Sequence, residues 1–215
     1  MVGFTQAQLR SYRDASVPDL LGPGLKLLFV GINPGLWTAA TQTHFAHPGN
    51  RFYPALRLAG VIDRDLDRAE GMTDEDRAYL LGRGIGISNL VNRATTRADE
   101  LSAVELRAGP ARLEALIHQW APKVVAVAGV TAFRTAFSRP RARPGRQPDD
   151  LAGAELWVVP NPSGLNAHET ITSLAAAYAE PARAAGVIES APIRSFSASS
   201  TSGAAPRPVR SRLWK

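Results

Sequence analysis

Apolar residues occur in short unbroken runs along this chain, separated by stretches in which they recur every three or four positions. Residues 25–30, LKLLFV, are almost wholly apolar, the pattern of a strand buried on both faces of a parallel sheet. Residues 84–91 (GIGISNLV, weakened by its glycines), 123–128 (KVVAVA) and 155–159 (ELWVV) read the same way. Between them lies helical spacing. Residues 5–15 put Leu9 and Tyr12 on one side, and residues 51–59 align Phe52, Ala55, Leu56 and Ala59. Thr73 and three acids open a helix ending near Gly82. Ser102 and Glu105 have capping-box spacing ahead of a helix to about His118, with Leu106, Leu113, Leu116 and Ile117 facing in. Helices are also predicted over 130–137 and from a capping-box-like start at 166–169 to about Ala185. Alternating strands and helices predict a three-layer α/β/α sandwich around a central four-stranded parallel sheet.

That domain is expected over residues 1–187. Residues 138–150, with four arginines and three prolines, should be an exposed loop, and 188–215, rich in Ser, Ala, Pro and Arg, a basic disordered tail. No run approaches a membrane span and no secretion signal is evident. The chain has no cysteine, which removes thiol catalysis, disulfides and thiolate metal sites and suits a reducing cytoplasm. Its four histidines (His44, His47, His118, His168) lack metal-ligand spacing. Formal charge is +6, and 22 of the 25 basic residues are arginine, a mild pointer to nucleic acid. Residues 189–215 hold five bases and one acid, so +4 of that charge lies in the tail and any DNA-binding face on the domain must be a local patch.

Chemistry concentrates where strands end. In open α/β sheets ligands sit beyond the carboxyl ends of the strands. Gly31 permits a tight bend after the first strand, Pro34 and Gly35 keep a helix from starting at once, and Asn33 falls where chemistry is usually done. A long loop then carries Phe45, His47, Asn50 and Arg51 before the next helix. After the fourth strand come Asn161, Pro162, Ser163, Gly164 and Leu165.

GINPG at 31–35, FAHPGNRF at 45–52 and NPSGL at 161–165, in that order and spacing, resemble the mismatch-specific uracil and thymine DNA glycosylases of the uracil-DNA glycosylase superfamily. The resemblance covers about residues 25–186. It implies a monofunctional enzyme that needs no cofactor or metal, acts as a monomer on double-stranded DNA containing uracil or a mismatch, with single-stranded DNA as a second candidate, and serves base excision repair. It also implies site roles. Asn33 would position the attacking water. An amide takes no proton at neutral pH, so it orients water and is no general base. Phe45 would stack on the extruded base, in a pocket lined by backbone of Gly31, Ile32 and Gly35. Leu165, beside Gly164, would be the wedge filling the hole in the duplex. Asn161 and Ser163 would contact the nucleotide or its phosphates. Arg51 would either pair with phosphate or fasten its loop to the domain.

Asp99, in the polar loop after the second strand, is a candidate catalytic carboxylate that would assist Asn33; acids are equally common ahead of a helix. The chain departs from the family's pattern at Trp37, where a small residue is expected, and at Asn166 and Ala167, where a longer basic residue would grip the opposite strand. These departures bear on whether thymine or only uracil is accepted. Two other classes fit the residues: a lesion-binding module without catalysis, and a nucleotide-binding α/β protein, although neither G-x-G-x-x-G nor a P-loop pattern is present.

Overall fold

Burial on both faces accounts for the architecture. The computed structural model describes residues 3–66, 68 and 70–189. Five strands, β1 (Leu27–Gly31), β2 (Ile85–Asn89), β3 (Val124–Ala128), β4 (Gly145–Arg146) and β5 (Glu155–Val159), form one sheet in the order β2-β1-β3-β5-β4. All neighbours pair in parallel except β4, which is antiparallel to β5. Every residue of β1, β2 and β3 is buried.

Successive side chains point to opposite faces. Leu27, Phe29, Ile85, Ile87, Val124 and Ala126 therefore enter one core, shared with α3 (Phe52–Leu58), α4 (Asp74–Gly82) and α7 (Ile171–Ala185). Leu28, Val30, Val125, Val127, Leu156 and Val158 enter the other, shared with α5 (Ala103–Trp120) and α6 (Val130–Ala136). A third cluster joins Leu36 and Ala39 of α2 (Leu36–Thr41) to Val17, Ala94 and the partly buried Leu9 of α1 (Gln6–Arg10). The outer edge of β2 is closed by a bridge from Leu20 to Ile87.

The three-layer α/β arrangement agrees with the apolar pattern, with three differences. The sheet has a fifth strand: β4 lies inside the segment expected to be an exposed loop, where Gln147 is buried and donates to the carbonyls of Arg143 and Gly145. A helix, α2, interrupts the long loop after β1. Gly35 delays the helix by one residue in an extended conformation and serves as its N-cap, and burial of Leu36, Thr38 and Ala39 holds it. The last helix opens on a capping box of Thr170 and Ser173, four residues beyond the expected start. The expected tail lies, from residue 190 onward, outside the described residues. Among those described, no helix is long and apolar enough to cross a membrane.

Candidate active site

After β1 the chain passes to β2 on one side, and β3 returns to β1's other flank. That reversal leaves a crevice at the carboxyl ends of the strands. Asn33 stands there, half-buried. Its Nδ2 donates to Thr95 Oγ1 at 2.7 Å, to the Arg93 carbonyl at 2.9 Å and to the Pro34 carbonyl at 3.2 Å. Thr95 in turn donates its hydroxyl proton to the Arg97 carbonyl at 2.7 Å, so its oxygen must accept from Asn33. The amide orientation follows: nitrogen to the protein, with no donor to Oδ1 among the described residues. Thr95 N–H also bonds the Pro34 carbonyl, and Gly35 forms a parallel bridge with Thr95, which ties the loop after β1 to the loop after β2. Arg93 is itself braced, by Glu105 and Asp14 at 2.7 Å each. Its guanidinium holds the Glu105 carboxyl well below the usual range, at about 2.

Phe45 has a left-handed backbone, φ 56°, uncommon for a bulky residue and a feature of ligand sites. One face of its ring stacks on Phe52, with centroids 4.1 Å apart. Its edge lies over Gly31: a Cβ there would sit 3.2 Å from Phe45 Cζ and only 2.5 Å from Asn89 Oδ1. Gly31 is thus what lets the Asn89 side chain and the Phe45 ring converge. The carbonyls of Gly31 and Ile32 accept from Leu90 and Val91, and the Ile32 side chain lies against Gly129. Among the described residues nothing lies within 4 Å of the position of a Cβ on Gly35.

The loop after β5 meets the loop that precedes α3. Arg51 N–H bonds the Pro162 carbonyl at 3.0 Å, and its guanidinium bonds the carbonyls of Ser163, Glu169 and, at 2.8 Å, Asn166. Of the two roles considered for Arg51, fastening is the one its contacts show. Gly164 comes so close to Gly49 that a Cβ would lie 2.7 Å from its carbonyl oxygen. Asn161 Oδ1 accepts from Ser163 N–H, and Ser163 Oγ from Leu165 N–H, both shaping the turn. Tyr178, its hydroxyl pKa pushed up by burial, donates to the Pro160 carbonyl at 2.9 Å. At the tip Leu165 is 85% exposed, so it does not pin the loop to α7.

Other residues fall elsewhere. Asp99 sits on a single 3-10 turn, Ala98–Glu100, its side chain well exposed. Its carboxylate is bound by Arg97, which lowers its pKa, and among the described residues it makes no hydrogen bond to Asn33. Thr95 occupies the place beside Asn33 that the sequence reading assigned to Asp99. His47 and Asn50 fold their own loop, accepting from Gly49 and Phe52 N–H. Trp37 packs edge-on against Phe4 and His47, centroids 5.0 and 5.7 Å away. Sequence reasoning missed Thr95 and Asn89. For Asn89 a signal existed, an amide ending a buried strand, the same one that drew attention to Asn33.

A model of the uracil DNA glycosylase superfamily matches residues 18–181. The chain belongs to the uracil DNA glycosylase superfamily. Membership implies a hydrolytic DNA N-glycosylase acting on uracil, with DNA as the partner. The fold is also similar to the solution structure of a candidate uracil DNA glycosylase from Methanosarcina acetivorans, with a TM-score of 0.51 and 17% identity over 80% of this chain and 96% of that one. At that identity the likeness concerns the fold alone.

Proposed function

We propose that this superfamily member is a monofunctional glycosylase that extrudes uracil from duplex DNA, favouring mismatched pairs, and hydrolyses its bond to deoxyribose. The base would stack on the face of Phe45 opposite Phe52 and present its edge to Asn89. Water held by Asn33 Oδ1 adds to C1′ as the C1′–N1 bond breaks. The electron pair leaves with uracil, the water's proton passes to solvent, and an abasic site remains. Because positive charge develops on the sugar before much bonding to water, an orienting amide suffices where a carboxylate base is absent. A G·U or G·T pair opens at lower cost than a matched pair, by a few kcal/mol at most, which gives preference for mismatches without base-specific contacts. Leu165 would fill the vacated stack, and the turn of Asn161 and Ser163 would lie along the phosphates.

The observation that supports this reading is the meeting of the two loops: an Asn33 amide held through its nitrogen and an exposed leucine on a turn latched by Arg51. The test is alkaline strand cleavage after incubation with duplexes holding G·U, A·U and G·T, and with single-stranded uracil. Cleavage is expected at G·U first. Salt-sensitive binding without cleavage at any uracil would instead make the protein a recognition module.

A further inference from the structure

Asn89 ends β2 almost fully buried, 3% exposed, with His44 beside it. His44 Nε2 lies 3.0 Å from the Pro18 carbonyl oxygen, which can only accept, so Nε2 carries the proton. Burial lowers the His44 pKa and keeps the ring neutral, leaving Nδ1 a bare acceptor. Asn89 Nδ2 lies 3.2 Å from that nitrogen and must donate to it. The opposite amide orientation would set two lone pairs against each other. Oδ1 therefore points to the Gly31–Phe45 side of the pocket, and among the described residues nothing donates to it.

The residues behind are held as firmly. Tyr53 donates to the His44 carbonyl at 2.9 Å, and Arg112 bonds the Asn89 carbonyl at 2.9 Å, Ser88 Oγ at 2.8 Å and Asp19. Pro18 and Asp19 belong to the segment bridged to β2 at Leu20.

We infer that His44, through the tautomer imposed by Pro18, locks the Asn89 amide in the one orientation that accepts an imide edge, and so makes the pocket selective for uracil-type bases over cytosine. This rests on the glycosylase reading above. An imide offers N3–H to Oδ1 and a C4 carbonyl to the remaining Nδ2 proton. Cytosine offers a lone pair at N3 and an amino group at C4, opposing both. His44 touches no base in this scheme; it is a positioning residue for Asn89.

Two measurements test the lock. Long-range proton–nitrogen NMR of the full chain should show His44 as the Nε2–H tautomer at neutral pH, and an Nδ1–H tautomer overturns the inference whatever the activity. Competition binding then compares single 2′-fluorinated deoxyuridine and deoxycytidine, which resist cleavage, each opposite an abasic-site analogue so that pairing energy does not enter. His44→Leu should cut the preference for uridine about tenfold or more, since a site built to hydrogen-bond its ligand discriminates strongly. His44→Gln, able to donate to Pro18 and accept from Asn89, should restore it. Undiminished preference in a folded His44→Leu protein overturns the inference, as does failure of His44→Gln to differ from it. If His44→Leu does not fold, the tautomer and the His44→Gln ratio decide. A parent protein that releases no uracil sinks the glycosylase reading instead, and is told apart because the tautomer can still be read.

Discussion

The loop that leaves β1 and the loop that leaves β5 are built in opposite ways. The first is folded inward: Pro34, Leu36, Thr38, Thr43, His44 and Ala46 are buried, and its polar groups are spent on the loop after β2 and the segment before β1. The second is folded outward: Gly164, Leu165, Ala167 and His168 are exposed, and its carbonyls hang on Arg51. Electrostatic stabilisation depends on groups that need no rearrangement when the reaction occurs, which suits the inward loop. A wedge must meet a partner that is not yet there, which requires an unspent apolar side chain at the surface.

Substitutions that silence the inward loop should have the largest effect. Asn33→Ala removes the oxygen proposed to orient water and is expected to lower the single-turnover excision rate about 100-fold while leaving duplex affinity nearly unchanged. Thr95→Val keeps the shape but removes the acceptor that holds Asn33, and a loss of about tenfold is expected. Asp99→Asn, whose parent carboxylate is held by Arg97, should change the rate by less than about twofold. Rapid-quench kinetics on a G·U duplex decides the order. A loss in Asp99→Asn as large as in Asn33→Ala would return the carboxylate to the chemistry.

The outward loop should fail in a different measurement. Leu165→Ala should slow excision from duplex DNA about tenfold, the equivalent of about 1.4 kcal/mol, yet leave single-stranded uracil untouched. Arg51→Ala releases three carbonyls at once. Hydrogen bonds from a charged donor contribute about 1.5–3 kcal/mol each, but solvent replaces most of that at a half-buried site. About 2 kcal/mol of stability should be lost, a fall of about 4–8 °C in Tm, with the same duplex-only defect as Leu165→Ala. Equal losses on single and double strands in both variants would mean that the second loop forms part of the pocket rather than a wedge.

What the sequence made legible follows the same division. β1, β3 and β5 could be read because burial on both faces writes a continuous apolar run. β4 could not, since two residues carry no period, and α2 was hidden because Gly35 marks a helix start as readily as a loop. Asn33 and Leu165 stand out as an amide after a buried strand and an apolar side chain on a polar turn. Thr95 and Asn89 do not, because their place comes from pairing: Asn89 is the partner of Gly31 across β1 and β2, and Thr95 that of Gly35. Arg51 was ambiguous between phosphate and loop carbonyls, since one guanidinium serves either, and only the path of residues 162–169 decides between them.

The smallest expected effect is on stability in acid, and it falls on the inward loop and the residues that brace it. His44 has an ordinary pKa of 6.5 that burial lowers in the fold, against a background of Asp19, Arg77 and Arg112. The unfolded chain takes a proton there that the folded one resists. Stability from this group is therefore complete above about pH 6.5 and declines as the pH falls from there toward the lowered folded value. Glu105 behaves as a bound carboxylate: its contribution is present above 4.5 and is lost as the pH falls toward about 2. Urea unfolding midpoints should therefore drop in two steps, the upper one absent in His44→Gln and the lower one diminished in Glu105→Gln. A parent midpoint that stays level between pH 7.5 and 5.5 would show that His44 accepts a proton in place, and with it that the inward loop is looser than its hydrogen bonds imply.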